Sequence, residues 1–121
     1  MSTTRDDRHF CQLRRGRRLW NLAARTHYGR LDDRVGGRVR EVALRDLGVR
    51  PGESVLDVGC GTGGAVVSLR EAVGPDGRVT GIDNSPAMLA RARRRVDERG
   101  WTNVRLRLAD ASRAPLGHEE F

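Results

Sequence analysis

The sequence predicts an α/β protein with a doubly wound parallel sheet, and three observations predict it. From residue 52 onward short apolar runs alternate with helix-length segments; a glycine cluster follows the first run; and a carboxylate stands at or just after the end of each run. At 121 residues the chain is one domain at most, short for this class.

Taken in order, residues 1–16 are polar and arginine-rich with no sustained period and read as a basic tail. Residues 17–50 form a helical segment that precedes the sheet. Leu19, Leu22 and Ala23 share one face, and after a break at Gly29 so do Val35, Val39, Val42, Ala43 and Leu47, before Gly48 and Pro51 stop the pattern. Residues 51–121 carry the strand-helix alternation. Ser54 to Val58 is a strand of the buried type, Gly59 to Gly64 its turn, and Ala65 to about Ala72 a helix ended by Gly74-Pro75-Asp76-Gly77. Arg78 to Ile82 is the second strand. Ser85 and Pro86 supply an N-cap and a first helical residue for a helix with Met88, Leu89, Ala92 and Val96 on one face, ended by Gly100. In Asn103 to Leu108, valine and leucines alternate with Arg105 and Arg107, the pattern of a sheet-edge strand with one polar face.

Composition narrows the function. All 23 basic residues are arginine, a one-sidedness that reflects compositional bias more than 23 separate choices of a bidentate donor, so the net charge of +7 is weak evidence for nucleic acid. That excess lies in residues 1–50, with 13 arginines against 6 acids; residues 51–121 balance at 10 and 10. No apolar core of a signal peptide follows the N-terminal arginines, and no stretch approaches the roughly 18 apolar residues of a membrane span. The expected setting is cytoplasmic. Cys11 and Cys60 are expected as free thiols, and the histidines His9, His27 and His118 show no metal-ligand spacing.

The chemistry concentrates in Val55-Leu56-Asp57-Val58-Gly59-Cys60-Gly61-Thr62-Gly63-Gly64. Gly59, Gly61 and Gly64 satisfy the G-x-G-x-x-G pattern between a strand and a helix, which admits a dinucleotide. Asp57, two residues before the first glycine, would repel a pyrophosphate and suits a ligand carrying positive charge. S-Adenosyl-L-methionine has a sulfonium and an ammonium group, and one carboxylate for the helix N-terminus. Asp83, 26 residues after Asp57, can accept from both hydroxyls of a ribose, whichever nucleoside bears it. Asp110 can accept from an adenine amino group with the Ala111 N–H donating to the ring, or it can cap a following turn. Cys60 is expected to contribute its backbone, and Met88 the core face of its helix.

These stretches resemble class I S-adenosylmethionine-dependent methyltransferases, over residues 38–121 and in their N-terminal half. Val55 to Gly64 is similar to that family's first motif, Gly81 to Leu89 to its second, and Leu108-Ala109-Asp110-Ala111 to its third. The resemblance implies a Rossmann-like fold and cofactor contacts from Asp57, Gly59 and Gly61 at the methionine end, Asp83 on the ribose, Asn84 beside the adenine, and Asp110 with Ala111 on the adenine edge. It implies no catalytic acid or base among them. Arg50-Pro51-Gly52 and the Ser85-Pro86 helix start are most similar to enzymes acting on small molecules, quinones or phospholipid head groups; the turn around Pro75 also resembles protein-repair and tRNA methyltransferases. A non-catalytic cofactor-binding module is the alternative, with nucleic acid a less favoured partner.

The family's sheet has seven strands, so the sheet is expected to be truncated after the third strand. The first strand would then lie at an open apolar edge, available to a partner chain or to self-association. Little or no turnover by the chain alone follows as an expectation.

Overall fold

In the computed structural model the described residues are Leu22 and 28–113; the basic tail and residues 114–121 lie outside them. The order is α1 (Tyr28–Leu47), β1 (Ser54–Val58), α2 (Gly64–Val73), β2 (Arg78–Asp83), α3 (Pro86–Glu98) and β3 (Val104–Leu108). The sheet is parallel throughout, ordered β1-β2-β3, so β2 is central and β1 is an edge among the described residues.

Register follows the side-chain alternation of strands. Val55 pairs with Val79 and Val79 with Val104, placing β-branched residues in one row on one face. Against that face pack Val66, Leu69 and Val73 of α2 and Leu89 and Val96 of α3, all buried in one cluster. The opposite face presents Leu56 and Val58 of β1, Arg78 and the buried Thr80 and Ile82 of β2, and Arg105 and Arg107 of β3. No helix among the described residues packs on it, and Val58 is 53% exposed. Among the described residues no further strand pairs with β1, so the edge there is open as expected.

The apolar stripe expected to bury α1 does not do so. Val39, Val42 and Leu47 are 73%, 56% and 65% exposed. The half-buried side of the helix is Gly36, Gly37, Arg40 and Leu44, about one residue's rotation away. The reason lies in what α1 meets: the Arg40 guanidinium occupies the space a side chain on Gly64 would need, and Leu44 reaches the core cluster beside it. Close approach to a glycine on α2 outweighs the longer apolar stripe. Gly29 is the second residue of α1, and the first of the two expected helices lies outside the described residues apart from Leu22.

One side chain ties three connections together. Asn103, just before β3, donates through Nδ2 to the Gly77 carbonyl at 2.7 Å and the Gly74 carbonyl at 3.0 Å, while its Oδ1 accepts from Arg70 Nε. Arg70 and Arg99 also stack on the Trp101 ring. Alanine at 103 strands two turn carbonyls and a guanidinium, and a loss of about 2 kcal/mol is expected. Urea unfolding checks it as a lowered midpoint at unchanged slope.

Candidate functional site

Three strand ends converge because parallel strands joined by crossover helices place all their carboxyl ends on one side of the sheet. After β1 the chain turns through Gly59, Gly61 and Gly63, with φ of 76°, 55° and 84°. The Gly59 and Cys60 N–H groups both donate to the Ile82 carbonyl, at 2.8 and 3.0 Å, and the Gly61 N–H donates to Asp83 Oδ2 at 2.9 Å. The turn is therefore fastened to the end of β2. Gly63 caps α2 where a Cβ would lie 3.0 Å from Ala92 Cβ, so that position needs glycine for both its backbone angle and the closeness of α3.

Asp83 serves two segments. Its Oδ1 accepts from the Ser85 N–H at 2.8 Å, and its carbonyl accepts from the Ala109 N–H at 3.0 Å, joining the ends of β2 and β3. Ser85, fully buried, accepts from the Met88 N–H at 3.2 Å as the N-cap of α3, with Pro86 first in the helix, as the sequence predicts. After β3, Asp110 Oδ1 accepts from the backbone N–H and the hydroxyl of Ser112, at 2.9 and 2.7 Å. Of the two readings left open for Asp110, the turn cap is present; the residue also borders the crevice.

The crevice is a cavity of about 450 Å³. Of the seven residues singled out in the sequence, Gly59, Gly61, Asp83, Asn84, Asp110 and Ala111 line it, while Asp57 does not. Asp57 points to the helix side of β1, where burial pushes its carboxyl above the usual range; Arg40 opposes the shift and Asp83 adds to it. Met88 is 2% exposed, as its core reading expects, and it also forms part of the cavity wall. Cys60 is a buried free thiol pushed up to about 12, chiefly by burial and then by Asp57 and Asp83, which keeps it protonated and un-nucleophilic. A side chain on Gly81 would come within 3.0 Å of its Sγ, so Cys60 fills the space that glycine leaves.

Thr62 and Gly63 escape the sequence reading, which fixes on the G-x-G-x-x-G spacing. Thr62 is 3% exposed and lines the cavity, and its Oγ1 is buried without a hydrogen-bond partner among the described residues, as is Asp57 Oδ2. Two orphaned buried oxygens at one strand end call for polar groups from outside the chain. Asp57 Oδ2 calls for a donor such as an ammonium or a hydroxyl, whereas the Thr62 hydroxyl can donate or accept.

Because the folded state holds the Asp57 proton more tightly than the unfolded chain does, ionising Asp57 costs stability. That cost is absent below the unfolded value near 3.8 and is complete once pH rises past the folded value. Asp57→Asn is therefore expected to raise the melting temperature at pH 7, with the gain vanishing as pH approaches 3.8, read by paired thermal scans across pH.

Residues 50–121 match the family described as a methyltransferase domain. Demethylmenaquinone methyltransferase of Geobacillus stearothermophilus is 36% identical over 105 residues, covering 84% of this chain and 44% of that protein. The enzyme of the same name from Staphylococcus aureus strain Newman is 42% identical over 82 residues, covering 68% and 33%. Among solved structures, a SAM-dependent methyltransferase from Aquifex aeolicus superposes with a TM-score of 0.58 at 34% identity, over 64% of this chain and 41% of that one. The chain spans less than half the length of these relatives.

Proposed function

Since the chain belongs to the class I S-adenosylmethionine-dependent methyltransferase family, we propose that the crevice binds S-adenosyl-L-methionine and that the chain supplies the cofactor-binding part of an enzyme methylating a quinone-like or lipid-like small molecule. The cofactor supplies a methyl group already activated on a sulfonium, so the protein's work is chiefly positioning.

The observation that carries the reading is the pair of orphaned oxygens, Asp57 Oδ2 and Thr62 Oγ1, beside a glycine turn at the N-terminus of α2. The Thr62 hydroxyl would hydrogen-bond to the methionine end directly, while Asp57, which does not line the crevice, would act on the ammonium from behind the turn. The opening N–H groups of α2 favour a carboxylate. Gly59 and Gly61 let the ligand approach the backbone. Each Asp83 oxygen already accepts one backbone N–H and keeps lone pairs for the ribose hydroxyls. Asn84, Asp110 and Ala111 line the crevice with Met88, and in this reading they would meet the adenine edge, with Met88 as apolar wall. Relatives named for demethylmenaquinone support the quinone class of acceptor. A cytoplasmic setting accords with the free thiol of Cys60.

Titration calorimetry of the chain with S-adenosylmethionine, S-adenosylhomocysteine and NADH tests the cofactor. Binding of the first two and none of the third is expected, with about 2.7 kcal/mol of added stability at one hundred times the Kd. Failure of both sulfur ligands, or equal binding of NADH, overturns it. Transfer of labelled methyl to a demethylated naphthoquinone, with an RNA substrate as the competing acceptor, tests the acceptor class.

A further inference from the structure

On the reading that the crevice takes S-adenosylmethionine, we infer that Arg40 is a positioning residue for it. Reaching from α1 across the first turn of α2, its guanidinium keeps Asp57 charged behind the glycine turn, where the cofactor's ammonium requires a carboxylate. The docking of α1 points to this. An amphipathic helix ordinarily buries its apolar stripe, yet α1 leaves Val39, Val42 and Leu47 mostly exposed and turns Arg40 inward. Among residues 36–47, Arg40 is the one charged side chain that is not exposed. A docking that exposes valines and half-buries an arginine sacrifices packing, as functional sites do.

The guanidinium lies on Gly64, the first residue of α2, with its Cζ 2.9 Å from where a Cβ would stand. That is a poor place for a cation, because the amino end of a helix is the positive end of its dipole. Gly63 gives α2 no side-chain cap and the first turn holds no acidic residue, so the helix end itself does not neutralise the guanidinium. The compensating anion is Asp57, whose Oδ2 is buried without a hydrogen-bond partner. A buried carboxylate short of donors tends to take up a proton. Around it Arg40 on α1 favours the ionised form, Asp83 on β2 opposes it, and the Cys60 thiol of the turn stays neutral. Neither Arg40 nor Asp57 lines the crevice, so the pair works from behind the turn. A charged Asp57 attracts the ammonium from there and a protonated one does not.

Titration calorimetry of the full chain with S-adenosylhomocysteine, which has the ammonium but no sulfonium, tests this from about pH 4 to about pH 8. Affinity should fall on the acid side as Asp57 takes up a proton. In Arg40→Gln that acid limb should move up by about one pH unit, weakening binding about tenfold on the limb while the two chains approach each other towards pH 8. Arg40→Lys, which keeps the charge, should restore the parent's limb, and in an Asp57→Asn background Arg40→Gln should shift nothing. The carbon-13 resonance of the Asp57 carboxyl, followed in the ligand-free chain, reads the coupling without a cofactor, and its midpoint should rise in Arg40→Gln. Each variant is checked for the parent's circular dichroism. A midpoint unmoved by Arg40→Gln overturns the inference. So does weakening that is uniform with pH or persists in the Asp57→Asn background, which would make Arg40 a packing residue or a direct contact of the ligand's carboxylate. A midpoint that moves in a chain binding no sulfur ligand at any pH overturns the cofactor reading, and with it the role of the pair, while leaving the coupling itself intact.

Discussion

Asp83→Ala is expected to weaken S-adenosylmethionine binding by about 100-fold. Two hydrogen bonds from ribose hydroxyls to an ionised carboxylate contribute about 1.5 kcal/mol or more each, and alanine removes both. The same change strands the Gly61 and Ser85 N–H groups, which the carboxylate holds at 2.9 and 2.8 Å, so the glycine turn loses its fastening to β2 as well. Asp83→Asn separates the effects. An amide keeps one carbonyl oxygen, so it is expected to retain most of the stability while losing most of the affinity. Calorimetry beside thermal scans reads both; an alanine variant that binds as tightly as the parent would remove Asp83 from the ribose.

The second large effect is on the fold alone. At Gly77 an added Cβ would fall against the Val73 side chain, which is fully buried, and lie 2.7 Å from the Glu53 carbonyl oxygen. Neither can give way cheaply, since Val73 belongs to the core cluster and the Glu53 carbonyl accepts from the Arg78 N–H at 3.0 Å. Gly77→Ala is expected to cost about 3 kcal/mol, a large share of the roughly 5–15 kcal/mol that holds a domain together. Gly74 is the internal comparison. Its φ of 71° and ψ of −170° lie in a region that only glycine adopts readily, while space is open around a Cβ, so alanine there meets only backbone strain, about 2 kcal/mol. Denaturant midpoints that rank the two variants in reverse would show the packing around Gly77 to be softer than its distances imply.

Those two glycines mark how far the sequence could be read. The stretch Gly74-Pro75-Asp76-Gly77 is visible as a turn from its composition, and the helix before it and the strand after it emerge within a residue of their expected ends. Nothing local says that one glycine bends the chain while the other makes room for Val73. The same limit applies at the site. Carboxylates and glycines at strand ends announce themselves by spacing, so Asp83 and Gly61 are readable, but their hydrogen bond spans 22 residues and depends on register. Thr62 is an ordinary residue type between two glycines, and only burial exposes its unpaired hydroxyl. Asp57 is legible as a strand-end carboxylate; that it turns away from the cavity walls toward Arg40 depends on how α1 docks. The orientation of α1 was least legible, since its apolar stripe and its close approach to Gly64 point in different directions and packing decided for the second.

The order β1-β2-β3 also governs how this sheet comes into being. Each strand pairs with the next one along the chain, Ser54 with Arg78 and Val79 with Val104, so no pairing closes a loop much longer than a single strand-helix unit. Loop-closure entropy is modest at such separations, and contacts of this range favour rapid folding. Assembly can proceed as successive additions to β1, each new strand docking on the one just formed while its helix covers the same side. On a ribosome the order of synthesis is then the order of pairing, and the glycine turn is fastened to β2 as soon as Asp83 emerges.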